Sequence, residues 1–224
     1  MTRVKLCGNT SIEDIKQAVR LGADAVGFIT EVPVDTKRKI SLDKASELIK
    51  EVPIFVDSVL VIMPNSAIHA IQMIEIAKPN IVQIHNDLEF KEMCFLRKSI
   101  DIPIIQKFSI PYMSNNNNNN ISDKLIKLIK VYTESNLIDS ILLDSKIKDM
   151  VGGTGITHDW EISKEIQEEI TVPTILAGGI NHRNVKDAIE FVKPFAVDVA
   201  SGIETNGKKD GEKILKFIQA TRDI

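Results

Sequence analysis

The feature that most constrains this chain is an alternation repeated eight times, in which a short apolar or β-branched run is followed by a longer amphipathic stretch. The apolar runs are Val4–Leu6, Ala25–Phe28, Phe55–Ile62, Ile81–Ile84, Pro103–Phe108, Ser140–Leu143, Thr174–Ala177 and Ala196–Val199, and they have the length and composition of strands. The stretches that follow them are Ile12–Leu21, Leu42–Lys50, Ser66–Ala77, Leu88–Lys98, Ser122–Glu134, Trp160–Glu169, Asn184–Phe191 and Gly211–Thr221, each helical in period. A strand can reach a parallel neighbour only through a crossover, so strictly alternating strands and helices predict a parallel sheet. Helix starts are marked by Ser11, Ser41 and the pair Asn65-Ser66, whose short polar side chains suit the unpaired amides of a first turn. Eight such units in 224 residues leave short connections. That economy favours a single α/β domain over residues 1–224, a closed (β/α)8 TIM barrel, over an open doubly wound sheet with a second domain.

Composition narrows the partners. Lys and Arg number 28 against 31 Asp and Glu, a net charge of −3, and the two signs are interspersed. This gives no basic footprint for nucleic acid or an anionic membrane surface, and leaves a small molecule as the expected partner. No apolar stretch approaches the roughly 18 to 20 residues of a membrane span, and the opening residues lack signal-peptide architecture, so a cytoplasmic protein is expected. Cys7 and Cys94 are too few for a disulfide framework and are expected as free thiols. Neither they nor the four histidines have metal-ligand spacing, so no metal is expected. One segment interrupts the alternation: Ser114 is followed by Asn115 to Asn120, and the surrounding 114–121 is expected to be a flexible surface loop, a tolerated insertion more than a lid.

In a barrel of this kind the site is built at the C-terminal ends of the strands. Three glycine clusters, Gly152-Gly153-Thr154-Gly155, Gly178-Gly179 and Ser201-Gly202, fall after strands six, seven and eight. Glycine lets the backbone approach an anion and aim successive amides at it, so Gly153, Thr154, Gly155, Gly178, Gly179, Ser201 and Gly202 are the candidate phosphate binders. Cys7 closes the first strand. It is either a small core residue or a catalytic thiol, and Lys5, on the same side of the strand, is a cation that would lower its pKa. Asp144 closes Ile141-Leu142-Leu143 and is either a general acid or base or a carboxylate capping the amides of Ser145 and Lys146. Arg38, in the long loop after strand two, is either a solvated cation or a two-pronged carboxylate clamp. His85, after strand four, is a site residue or a hydrogen-bonded rim histidine. Cys94 lies mid-helix and reads as core.

Taken in order, several stretches resemble the phosphoribosylanthranilate isomerase family of tryptophan biosynthesis: Val4-Lys5-Leu6-Cys7-Gly8-Asn9-Thr10, Gly22 to Phe28, Lys37-Arg38-Lys39-Ile40-Ser41, Val82-Gln83-Ile84-His85, Leu142-Leu143-Asp144-Ser145, Gly152 to Gly155, His158-Asp159-Trp160, Leu176 to Ile180 and Val197 to Glu204. The resemblance covers nearly the whole chain. It implies a cofactor-free Amadori rearrangement of N-(5′-phosphoribosyl)anthranilate, with Asp144 as general acid, Cys7 as general base, Arg38 on the anthranilate carboxylate, Asp198 near the reacting region and the glycine loops on the phosphate. It also implies a phosphorylated small-molecule substrate and a monomer or homodimer. Asn86 stands where the family usually has glycine, Ala200 replaces a common serine, and Val59 to Met63 is less typical. The rival readings are another isomerase or lyase on the same barrel, for which Lys107 is the one obvious catalytic lysine, and a sugar-phosphate binding protein without chemistry.

Overall fold

The computed structural model describes residues 1–111, 118–146 and 159–223, apart from the side chains of residues 118–120 and 146. Eight parallel strands close into a barrel in chain order: β1 (Arg3–Leu6), β2 (Ala25–Ile29), β3 (Asp57–Ile62), β4 (Ile81–Ile84), β5 (Ile104–Pro111), β6 (Ser140–Lys146), β7 (Thr174–Leu176) and β8 (Ala196–Val199). The ring is closed by β8 against β1, with Lys5 opposite Asp198 and Leu6 opposite Val199. The helices are α1 (Ile12–Leu21), α2 (Leu42–Ile49), α3 (Ala67–Ala77), α4 (Phe90–Ser99), α5 (Asn118–Glu134), α6 (Trp160–Glu169), α7 (Val185–Val192) and α8 (Gly211–Arg222). After β8 comes one 3-10 turn, Ser201–Ile203, and a two-stranded ribbon of β9 (Glu204–Thr205) and β10 (Lys208–Lys209).

The expected caps form. Ser11 accepts from the Asp14 amide while Asp14 accepts from the Ser11 amide, and Ser41 and Ser66 cap α2 and α3 in the same way from one side. Several boundaries differ from the sequence expectation, four of them by enough to matter. Strand β3 begins at Asp57 because Phe55 has a positive φ of 71°, which breaks the extended backbone. Helix α5 opens at Asn118, so part of the asparagine run is helix rather than loop, while residues 114–117 of the expected loop lie outside the described residues. Strands β5 and β6 run on to Pro111 and Lys146, which keeps Ser109 and Asp144 inside a paired ladder instead of in the loops beyond it.

Strand residues alternate between two cores. Val4, Leu6, Val26, Phe28, Leu60, Ile62, Phe108, Leu143 and Val197 face outward and pack beneath the helices. The opposite parity, Cys7, Val59, Val61, Ile105, Leu142, Ile175, Ala177 and Ala196, fills the barrel itself. Both faces are buried, which is why the strands read as continuous apolar runs. The inward parity also carries Lys5, Gln83, Lys107, Asp144 and Asp198. Cys94 sits half-buried on α4 against the outer core. Among the described residues no helix is long and apolar enough to cross a membrane.

Candidate active site

Cys7 lies immediately beyond β1, buried and pointing inward, beside Lys5. The two side chains converge over Gly27 of β2, where a side chain would strike both: a β-carbon there would stand 2.8 Å from the Cys7 sulfur and 3.2 Å from Lys5 Cε. Lys5 donates to Asp198 Oδ2 at 2.9 Å, and both side chains are nearly dry. Burial lowers the proton affinity of Lys5, but Asp198 and Cys7 outweigh it and hold the ammonium above its usual range. Lys5 does approach the thiol and pull its proton affinity down, but it does not set the net direction. Burial pushes Cys7 up, and the opposing pull of Lys5 and Lys209 is too small to reverse it, because Lys5 is already neutralised by Asp198. The second carboxylate oxygen of Asp198 is buried and has no hydrogen-bond partner among the described residues.

Arg38 reaches the site from the loop after β2, lying across Gly8. A β-carbon on Gly8, whose φ is +77°, would come within 2.7 Å of Arg38 Cδ, so the residue after Cys7 must be glycine for the guanidinium to lie there. The fork that sequence reasoning reserved for a ligand is already occupied: Nε and Nη2 of Arg38 donate to the two carboxylate oxygens of Glu204 at 2.9 and 2.7 Å. Two parallel bonds to one carboxylate leave Nη1 as the outward arm. Glu204 also accepts from Lys209 at 2.9 Å. Burial raises the Glu204 carboxyl, yet Arg38 and Lys209 hold it below its ordinary range. Lys209, itself dry, donates to the Cys7 carbonyl at 2.5 Å and so ties the ribbon to the end of β1. Glu204 and Lys209 were missed as site residues: they are distant in sequence, and a Lys-Lys-Asp run reads as surface.

On the far side of the mouth, Asp144 follows Leu142 on the inward parity of β6, opposite Ser109 of β5. Burial pushes its carboxyl up to about 6; Lys107 opposes this, Asp198 adds to it, and the Ser145 amide and Lys5 pull weakly downward. The contact with the Ser145 amide agrees with the capping reading of Asp144. His85 stands 3.7 Å away, Nε2 to Oδ2. Its Nδ1 lies 3.0 Å from the Gln83 amide nitrogen, so with Gln83 donating, the ring proton sits on Nε2 and points toward Asp144. Burial, with Lys107 and Lys5 nearby, lowers the imidazole to about 3, so His85 is neutral and the approach to Asp144 is not an ion pair.

Of the three glycine loops, two are described. Gly178 and Gly179 have consecutive positive φ of 82° and 68° at the end of β7. A β-carbon at Gly178 would stand 2.6 Å from the Ser145 amide nitrogen, so glycine there is what lets the β7 loop lie against the end of β6. Ser201 and Gly202 open the 3-10 turn beside it. Gly153, Thr154 and Gly155 lie outside the described residues.

The model of the N-(5′-phosphoribosyl)anthranilate (PRA) isomerase family matches residues 4–220. The N-(5′-phosphoribosyl)anthranilate isomerase of Methanosarcina acetivorans is 50% identical over 99% of this chain and 93% of its own length. Among solved structures, the enzyme of that name from Pyrococcus furiosus superposes with a TM-score of 0.84 at 28% identity, covering 100% of both chains. Another, solved in complex with reduced 1-(o-carboxyphenylamino)-1-deoxyribulose 5-phosphate, gives 0.79 at 30% identity, again over 100% of both.

Proposed function

The chain belongs to the N-(5′-phosphoribosyl)anthranilate isomerase family and is an isomerase; from that premise we propose that it rearranges N-(5′-phosphoribosyl)anthranilate, without a cofactor, using Asp144 as acid and Cys7 as base. The observation that carries this reading is the shared parity of the two side chains. Both stand on the inner face at strand ends, three strands apart around the ring, one a carboxyl that holds its proton to about 6 and the other a thiol flanked by two ammonium groups. The relative crystallised with a reduced product supports the substrate class.

Asp144 gives its proton to the ribose ring oxygen, the C1′–O4′ bond breaks, and the aniline nitrogen supplies the electron pair that makes a protonated Schiff base. The Cys7 thiolate removes the proton from C2′, and the enamine tautomerises to the ketone, 1-(2-carboxyphenylamino)-1-deoxyribulose 5-phosphate. A thiol raised by burial is a poor thiolate in the empty site, but the Schiff base places a positive charge beside it at the step that needs the anion. The outward arm of Arg38 holds the anthranilate carboxylate. His85 and Asp198, with its buried unpaired oxygen, face the sugar, and Gly153, Thr154, Gly155, Gly178, Gly179, Ser201 and Gly202 take the phosphate. The whole site is built in one catalytic domain, working in the cytoplasm as a monomer or homodimer.

The test is to supply phosphoribosylanthranilate and follow the loss of its fluorescence, with Cys7→Ser as control. Loss with the parent chain and none above background with the variant is the expected result. Equal rates in the two would overturn the assignment of the base.

A further inference from the structure

Among the described residues, Lys107 is the charged group of the inner face to which the mechanism gives no part. It sits on β5 between Ile105, which fills the barrel, and Phe108, which packs outward, so its side chain takes the inward parity. Strand pairing sets it opposite Leu142, two residues below Asp144 on β6, and one step beyond the Ile84–Gln106 pair, level with His85 as that residue leaves β4. Among the described residues its ammonium makes no hydrogen bond or ion pair, though its carbonyl accepts from Gln106 Nε2 at 3.0 Å. An ammonium in that position, half-buried and lodged between two strands that each present a site residue, is costly to desolvate unless it answers a charge.

We propose that Lys107 is a positioning residue for the acid: carried into the mouth between His85 and Asp144, its ammonium sets how tightly Asp144 holds its proton and stabilises the carboxylate left when that proton goes to the ring oxygen. The proposal rests on the reading of Asp144 as the acid. Among the described residues, the charged and titratable groups that face Asp144 are Lys107 from β5, His85 from β4, Asp198 from β8 and Lys5 from β1, with the Ser145 amide. His85 is neutral, and Lys5 is spent on Asp198 at 2.9 Å. Lys107 is therefore the cation with charge to spare for Asp144, and it opposes the effect of burial more strongly than Lys5 does. No atom of Lys107 is transferred or bonded in the reaction; its contribution is a fixed positive charge at the place where negative charge develops.

The sign of the pH effect follows from counting protons. The working pair holds one proton between two groups, on Asp144 with Cys7 ionised. Below about 6 both groups are protonated, and above the thiol's value neither is, so the low-pH limb of kcat/KM belongs to Asp144. Removing the ammonium moves that limb to higher pH. In Lys107→Met and in Lys107→Gln, which keeps a polar end without the charge, the limb is expected to rise by on the order of one pH unit, and in Lys107→Arg it stays near the parent position. A limb unmoved in the folded neutral variants, or a change confined to KM, overturns the proposal. Asp144→Asn separates the two readings: if it keeps the parent's rate and profile, the acid assignment itself fails. If it is inactive while the neutral Lys107 variants keep the parent limb, only the role of Lys107 fails.

Discussion

The arc of the mouth formed by β8, β1 and the ribbon differs from the arc formed by β4, β5 and β6. On the first, the charged side chains are matched at hydrogen-bond distance and, Arg38 apart, nearly dry: Lys5 with Asp198 at 2.9 Å, Arg38 with Glu204 at 2.7 Å, Lys209 with Glu204 at 2.9 Å. On the second, Asp144 and the neutral His85 stand 3.7 Å apart with about a quarter to a third of each side chain open, and the Lys107 ammonium has no direct partner among the described residues. A closed network fixes geometry and resists change of charge, since altering one member leaves another buried and unpaired. An open one lets a carboxyl gain and lose a proton. In the proposed mechanism the arc that carries the base is thus built for position, and the arc that carries the acid for proton traffic.

The largest effect expected from breaking this contrast is catalytic. Cys7→Ser and Asp144→Asn should each lower kcat by about 10²- to 10⁴-fold, measured by substrate fluorescence, with binding of a phosphate ligand largely kept, because proton transfer is removed and anchoring is not. On stability, Lys5→Met strands Asp198 in the dry arc and should cost about 3–5 kcal/mol in urea unfolding, whereas Lys107→Met on the open arc should cost far less. Glu204→Gln removes the charge that holds Arg38 across Gly8 and should raise KM about tenfold, on the order of one charge-assisted hydrogen bond, with kcat little changed; a fall in kcat at constant KM would place Arg38 in the chemistry instead. The smallest effect is on folding stability with pH. The folded Asp144 carboxyl titrates near 6, above its unfolded value near 3.8, so folding disfavours its charge. That cost is absent below the unfolded value and complete above about 6, so Asp144→Asn should be more stable than the parent at pH 8 by on the order of 1 kcal/mol, with no gain at pH 3.

Much of the scaffold was legible because its signals are local. Ser11 caps α1 through Asp14, three residues away, and the β6 run Ile141-Leu142-Leu143 is apolar on both faces because both are buried. The inner-face placement of Cys7 and Asp144 was readable from their positions at or near strand ends. The asparagine run misled in part, since Asn118 starts α5 although asparagine is a weak helix former, and packing of the following Ile121 and Leu125 against the core accounts for the override. The state of the charges was not legible. Lys5 next to Cys7 does pull the thiol down, but burial around the sulfur, with the charge of Asp198 added to it, outweighs that pull and leaves the thiol raised.

By itself, the sequence determined the eight-fold alternation, the barrel that follows from it and the residue types at the mouth, since periodicity and capping act over a few residues and add along the chain. Tertiary structure decided which of those residues are bound to one another. Arg38 meets Glu204 across 166 positions and Lys5 meets Asp198 across 193. Closing the ring, not any local preference, removes the water that would otherwise level these charges, and so decides which groups are spent on each other and which remain for a substrate.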